Sequence, residues 1–450
     1  MAVVRLAILG GGGFRVPLVY RAAAARTELD IDRVVLYDDD PARLAVMQSV
    51  LRADAGPPVS ATTDLDTALR GVDVVFSAIR VGGAAGRAAD ERRALDLGVL
   101  GQETVGAGGL AFGLRTVPVA LHIARRIADL APDAWTINFT NPAGMITEAM
   151  RSVLGERVIG ICDSPVGLIR HACRALGVAV QDVRCDYAGI NHLGWLRAIR
   201  PIGGGPRAAA GGDDLLPQLL ADDAALATFE EGRLFGGPLL RALGSLPNEY
   251  LAFYYMHRDL AASLAATHTR GELLAAEQGD FYAAASADPA AAHALWDSAR
   301  ARREETYLAE TRHEGERRDA ADLSGGGYQE VALDLITALT GGPEAELIVN
   351  VPNGSALAGL PDDVVVELRC TVDARGAHPI PLPPLTLHEL GLVCAVRAAE
   401  RAVIDATVYG SRELALRAFA VHPLVGSPRI ARRLLDGVLA DYPGLAESLR

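Results

Sequence analysis

The 450-residue chain contains no lysine; all 43 of its basic side chains are arginine. That absence excludes chemistry needing a lysine amine: Schiff bases, pyridoxal attachment and the phosphate-loop lysine. Together with abundant alanine, it reads as genome bias rather than function. Cysteine is also scarce. Cys162, Cys173, Cys185, Cys370 and Cys394 are odd in number and include no CxxC pair. This argues against a disulfide scaffold or a Cys-rich zinc site, and a reducing compartment fits. No apolar run reaches the roughly 18 residues a membrane span needs. The apolar start, residues 2–9, meets glycines without a signal-peptide cleavage pattern. A net charge of −13 argues against nucleic acid as a partner. A composition of 50% hydrophobic and 22% charged residues is that of a globular chain long enough for two cores. The expectation is a cytoplasmic protein with no membrane or nucleic-acid partner.

The first 200 residues alternate strand-like and helix-like segments. Apolar runs at 3–9, 33–37, 72–79, 134–139 and 158–162 read as strands. Helical patterns at 17–25, 41–53, 115–130 and 142–154 separate them. Such alternation predicts an α/β fold: a Rossmann-like, doubly wound parallel sheet with right-handed crossovers. Ligands bind such sheets outside the carboxyl ends of the strands. All five strands run there into polar or glycine-rich turns, beginning at Gly10, Asp38, Arg80, Thr140 and Cys162, which should line one rim.

Gly10, Gly11, Gly12 and Gly13 resemble a dinucleotide fingerprint, although Arg15 stands where the third glycine of the strict motif would fall. The amides of the following helix start suit a pyrophosphate. Asp38, ending the second strand, suits a ribose 2′-hydroxyl and disfavours a 2′-phosphate. The simpler alternative is that the glycines only make a tight turn.

A further ordered set of segments carries a resemblance. It comprises Ile79–Gly83 with Arg87, Gly101-Gln102-Glu103-Thr104, Thr140-Asn141-Pro142, Cys162-Asp163-Ser164-Pro165 and Gly189-Ile190-Asn191-His192. Pro247-Asn248-Glu249-Tyr250, His268-Thr269-Arg270 and Asn350-Val351-Pro352-Asn353-Gly354 follow. From about residue 5 to about residue 435 the chain resembles glycoside hydrolase family 4, the NAD-dependent glycosidases, which stand apart from two-carboxylate glycosidases. The resemblance implies bound NAD and a divalent metal, most often Mn2+. It implies transient oxidation at sugar C3, loss of the C2 proton, elimination of the aglycone and return of the hydride. A small sugar phosphate is the implied substrate, with 6-phospho-β-glucosides favoured over 6-phospho-α-glucosides, unphosphorylated glucosides or uronosides. A homodimer or homotetramer is implied as well.

On the same basis, Cys162 and His192 are the implied metal ligands, and a thiolate and an imidazole suit a first-row metal. Asp163 is the implied general acid, with helix capping as the alternative. Aspartate after the cysteine is more like the α-cleaving members, whereas the β-cleaving ones often carry asparagine. Tyr250 is the implied base at C2, although the three tyrosines at 250, 254 and 255 also read as packing. Its phenol, ordinarily near pKa 10, needs a neighbouring positive charge to act. Arg87, Asn141 and Arg270 are the implied phosphate contacts; Arg suits a phosphate bidentately, and a carboxylate equally. Arg80 falls with the glycine loop on the cofactor side. Glu103 is a cofactor or sugar contact, or a cap on a glycine-rich loop at 106–109. Asn191 positions the sugar or orients the metal shell.

Residues 200–214, rich in Gly, Pro and Ala, divide the chain into a dinucleotide-binding domain, 1–200, and a mainly α substrate domain with a small antiparallel sheet, 201–450. In the latter, 250–266, 289–308, 329–339, 387–409 and 411–420 read as helices, and 347–351 and 364–371 as strands. The charges at 303–305 and 314–319 read as a solvated helix or loop. Two further readings compete: an NAD-dependent hydroxy-acid dehydrogenase, which leaves Cys162, His192 and Tyr250 without a joint task, and a nucleotide-binding sensor without catalysis.

Overall fold

A computed structural model describes residues 3–202, 214–307 and 327–450. The Gly/Pro-rich connection and the charge run at 314–319 therefore lie outside the described residues, the former almost entirely. The early strands are β1 (Val3–Leu9), β2 (Asp30–Tyr37), β3 (Val59–Thr62), β4 (Val74–Ser77), β5 (Trp135–Asn138) and β6 (Val158–Gly160). The later ones are β7 (Val183–Ile190), β8 (Leu193–Pro201), β9 (Leu246–Pro247), β10 (Ala345–Pro352), β11 (Val365–Asp373) and β12 (Gly376–Pro379). They form one mixed sheet in the order β3-β2-β1-β4-β5-β6-β10-β11-β7-β8-β9, with β12 beside β11. Strands β1 to β6 pair in parallel. From β10 onward every pairing is antiparallel. The antiparallel strands thus continue the parallel sheet, and β10 and β11 come between β6 and β7.

The early strands are apolar throughout because both faces are covered. Leu6, Ile8, Val74 and Phe76 enter one buried cluster, and Ala7, Leu9 and Val75 the other. The Arg270–Ala287 helix, absent from the sequence reading, begins with a capping box: Thr269 accepts from the Glu272 amide, and Glu272 from the Thr269 amide.

Two expectations change. The supposed glycine-rich loop at 106–109 is the first turn of a 25-residue helix, Gly106–Leu130. Glycine is required there because that turn crosses the preceding segment: a Cβ on Gly108 would lie 1.9 Å from the Gln102 carbonyl oxygen. This helix is long and apolar enough to cross a membrane, yet 83% of its apolar window is buried in the protein. The tract at 250–266 is not one helix. It breaks into a 3-10 turn (Glu249–Leu251) and two helices (Ala252–Tyr255 and His257–Ala265), leaving Tyr250 in the turn.

Glu148 joins the two halves of the chain. It accepts from the Val365 amide at 2.8 Å, from Arg401 Nε at 2.7 Å and from buried Arg397. Glu148→Ala leaves that guanidinium with Glu400 as its remaining carboxylate. We expect a loss of about 2–3 kcal/mol, seen as a lower urea midpoint at unchanged slope.

Candidate active site

The chain leaves β1 through its four glycines. Gly10 has φ +83°, and a Cβ there would lie 2.5 Å from the Ala78 carbonyl oxygen, so this position requires glycine. The amides of Gly10 and Gly11 donate to the Tyr37 carbonyl (2.9 and 2.7 Å), and that of Gly13 to the Gly10 carbonyl (2.8 Å). The Gly12 amide donates to Asp38 Oδ2 at 2.9 Å, while Asp38 Oδ1 accepts from the Asp40 amide at 3.1 Å. Asp38 therefore fastens the loop. Among the described residues, nothing accepts from the amides of Phe14 and Arg15, which open the Val16–Ala25 helix. These are the donors positioned for an anion.

The loop carbonyls are held by aromatic donors from the second half of the chain. Tyr282 Oη donates to the Gly12 carbonyl at 2.7 Å, Trp296 Nε1 to Phe14 at 2.8 Å and Tyr328 Oη to Arg15 at 3.3 Å. Sequence gave no sign of this, because the partners lie some 270 to 313 residues away.

A cleft of about 1380 Å³, including its open mouth, runs from this loop along the strand ends. It is lined by Gly10, Gly13, Arg80, Arg87, Glu103, Asn141, Cys162, Asp163, His192, Tyr250 and Arg270 of the anticipated residues. Gly11, Gly12, Asp38 and Asn191 do not line it. The two glycines and Asp38 build the turn. The Asn191 side chain accepts from the Ala143 amide at 3.0 Å and donates toward Glu367 at 3.5 Å, so it supports His192 from behind.

His192 has φ +61° and stacks on Tyr250, with ring centroids 3.7 Å apart and planes 3° from parallel. Burial lowers its pKa to about 3, so the imidazole is neutral. Its Nδ1 lies 2.8 Å from Thr104 Oγ1, and Thr104 Oγ1 donates to Gln102 Oε1 at 3.2 Å. Gln102 Oε1 also accepts from the amides of Thr104 (2.6 Å) and Val105 (2.8 Å), which identifies it as the oxygen. Thr104 must then accept from Nδ1–H, leaving the Nε2 lone pair for another partner. Burial, with Glu367 and Asp163, raises the Cys162 thiol. Burial and Glu249 raise the Tyr250 phenol. Both anionic forms call for a cation in the cleft. Asp163 makes no side-chain cap to its helix; its Oδ1 lies 3.9 Å from Cys162 Sγ. Of the other tyrosines, Tyr254 is buried in packing, and Tyr255 Oη accepts from Trp195 Nε1 at 3.0 Å.

Arginines fill the opposite corner. Glu103 takes Arg87 Nη1 at 2.6 Å on one oxygen and Arg80 on the other. Burial works to raise this carboxyl, but the two guanidiniums outweigh it and hold it at about 2. Glu91 accepts from Arg87 Nε at 2.7 Å and from the Gly271 amide at 2.6 Å, seating Arg270 beside Arg87. Arg270 donates to Thr306 Oγ1 (2.6 Å) and to the Arg303 carbonyl (3.1 Å). Arg303, expected on a solvated face, lines the cleft instead. Desolvation, Arg15, Arg80, Arg270 and Arg87 together push it down to about 9. Its charged neighbours disguised it in sequence.

Two buried acids were also missed. Glu249 Oε1 accepts from Ser164 Oγ (2.7 Å) and Tyr307 Oη (3.4 Å), and Tyr307 Oη lies 3.3 Å from Tyr250 Oη. Glu367 accepts from Asn350 Nδ2 (2.8 Å) and Tyr187 Oη (3.2 Å), and burial raises it to about 7. The only signal for Glu249 was its place inside a quoted motif; Glu367 had none.

A model described as family 4 glycosyl hydrolase matches residues 5–178, and one for the C-terminal domain of family 4 glycosyl hydrolases matches 187–425. A probable 6-phospho-beta-glucosidase of Bacillus subtilis is 30% identical, over 98% of this chain and 96% of its own length. A 6-phospho-alpha-glucosidase from gut microorganisms, solved with NAD and Mn2+, has a TM-score of 0.80 at 26% identity, covering 99% of both chains. The 6-phospho-beta glucosidase of Thermotoga maritima, solved with manganese, NAD+ and glucose-6-phosphate, has a TM-score of 0.80 at 25% identity, over 98% of this chain and 99% of that one.

Burial, with Glu231 and Glu230 adding to it, raises Glu249 from 4.5 to about 8. The folded protein holds a proton there that the unfolded chain releases above about pH 4.5. The stability this group contributes is therefore complete below that pH and lost as pH rises through about 8. Glu249→Gln, which cannot ionise, should gain stability over wild type by on the order of a few kcal/mol across this window. Urea unfolding at stepped pH measures it; a difference that is constant with pH would refute the assignment.

Proposed function

Since the chain belongs to family 4 of the glycosyl hydrolases, we propose that it hydrolyses 6-phospho-glucosides, the β anomer foremost, with NAD and a divalent cation, manganese, as cofactors. The observation that carries this reading is the arginine corner. Arg87, Arg270 and Arg303, with Asn141, line the same cleft as the glycine loop. Guanidinium groups present planar pairs of donors that match a phosphate dianion bidentately. Identity to a protein named 6-phospho-beta-glucosidase supports the β preference. Asp163 after Cys162, and the solved 6-phospho-alpha-glucosidase, favour the α anomer as second reading. A cytoplasmic homo-oligomer whose five cysteines are free thiols belongs to the same proposal.

The residues fit the two cofactors. The amides of Phe14 and Arg15 would meet the pyrophosphate, with Asp38 holding the loop that presents them. Among the described residues no group of three or more His, Cys, Asp or Glu side chains could hold a metal ion. Cys162 and His192 Nε2 would therefore hold the cation as a pair, with substrate oxygens or water completing its shell. When bound, NAD would accept the hydride from sugar C3, making the C2 proton acidic, and the cation would polarise the C2 and C3 oxygens.

The protein's own groups do the rest. The arginines clamp the 6-phosphate and so orient the ring. As the phenolate, the form a bound cation would favour, Tyr250 Oη takes the C2 proton, its ring fixed by the His192 stack, and Tyr307 and Glu249 lie next along the hydrogen-bond chain. Asp163 is placed to serve as the acid toward the departing glycosidic oxygen; water then adds at C1, C2 regains a proton from solvent or Tyr250, and the hydride would return to C3.

Paired α- and β-, phosphorylated and free, aryl glucosides test the reading. Phosphorylation should raise kcat/KM about a thousandfold, as expected for two charge-assisted bidentate contacts. In D2O the product should carry deuterium at C2, with no net reduction of NAD. Equal kcat/KM with and without phosphate would remove the phosphate clamp, and net NADH formation would favour a dehydrogenase. In a second test, Thr104→Val deprives His192 Nδ1 of its partner. Manganese affinity, measured by electron paramagnetic resonance, should fall roughly 10- to 100-fold.

A further inference from the structure

The helix Arg270–Ala287 presents Arg270, Leu274, Gln278 and Tyr282 at four-residue spacing, a single helix face. The first three line the cleft, and the fourth reaches the glycine loop. Twelve residues at 1.5 Å each make this stripe about 18 Å long, so one helix borders both the arginine corner and the dinucleotide loop.

At the loop end, Tyr282 Oη donates to the Gly12 carbonyl at 2.7 Å and accepts from Arg43 Nη2 at 3.0 Å. Arg43 Cζ lies 4.4 Å from the Tyr282 ring centroid. Arg43 also lines the cleft, and its buried Nε has no hydrogen-bond partner. A guanidinium is planar and weakly hydrated, and it stacks on π faces on either side.

We propose that Arg43 and Tyr282, one from each half of the chain, form the adenine platform of the dinucleotide site. The guanidinium rests one face on the Tyr282 ring and offers the other to the purine. Tyr282 is a positioning residue: its hydroxyl fixes both Arg43 and the Gly12 carbonyl. A purine fits this place better than a 2′-phosphate, because the Asp38 carboxylate stands beside Arg43 and repels a dianion. The inference rests on the NAD reading given above.

Equilibrium binding of NAD, ADP-ribose, nicotinamide mononucleotide and NADP, followed by calorimetry, tests it. Binding of NAD by the wild type establishes the reading beneath it; absence of that binding would overturn both. Arg43→Met should weaken NAD and ADP-ribose about tenfold and leave nicotinamide mononucleotide, which lacks adenosine, unchanged. Arg43→Lys keeps the charge without the planar face and should lose nearly as much. Tyr282→Phe should shift NAD severalfold in the same direction, again sparing the mononucleotide. Four results would overturn the platform: NAD affinity within twofold of wild type in Arg43→Met, full affinity in Arg43→Lys, equal loss for nicotinamide mononucleotide, or a larger loss for NADP than for NAD.

Discussion

Six guanidinium groups line one cleft. Arg15 comes from the glycine loop, Arg43 from the helix after β2, Arg80 and Arg87 from the segment after β4, and Arg270 and Arg303 from the second half of the chain. Positive charge concentrated in a desolvated place is costly unless partnered. Glu103 and Glu91 provide part of the balance and fix Arg80, Arg87 and the start of the Arg270 helix. An anion bound among the arginines would stabilise the folded protein by mass action.

The same interdependence appears in the backbone. Strands β10 and β11 come from late in the chain, yet they extend the parallel sheet from β6. The glycine loop belongs to the first half, but its carbonyls at Gly12, Phe14 and Arg15 are held by Tyr282, Trp296 and Tyr328 of the second. The conformation of the loop thus depends on residues that no local motif contains.

Around His192 and Tyr250 the control is by desolvation. The imidazole is kept neutral by burial, and the thiol of Cys162 and the phenol of Tyr250 are kept protonated. Glu249 and Glu367, raised to about 8 and about 7, bring hydrogen-bonding capacity without a full negative charge at neutral pH. A cation entering such surroundings would favour the anionic forms of these groups.

Much of this was legible along the chain. Apolar strands ending in polar turns marked the rim, and the ordered motifs named Cys162, Asp163, His192, Tyr250, Arg87, Asn141 and Arg270, all of which line the cleft. Sequence patterning reports whether a residue is buried against its own neighbours and how the backbone must turn, and these are local properties. Tertiary structure alone decided that Arg303 leaves its charged run to face the cleft, that Asp38 and Asn191 turn away from it, and that the glycines at 106–109 begin a helix. It also decided which aromatic donors reach the loop. Each of these depends on contacts between segments distant in sequence, and on how desolvation in the assembled cleft weights charges that look alike along the chain.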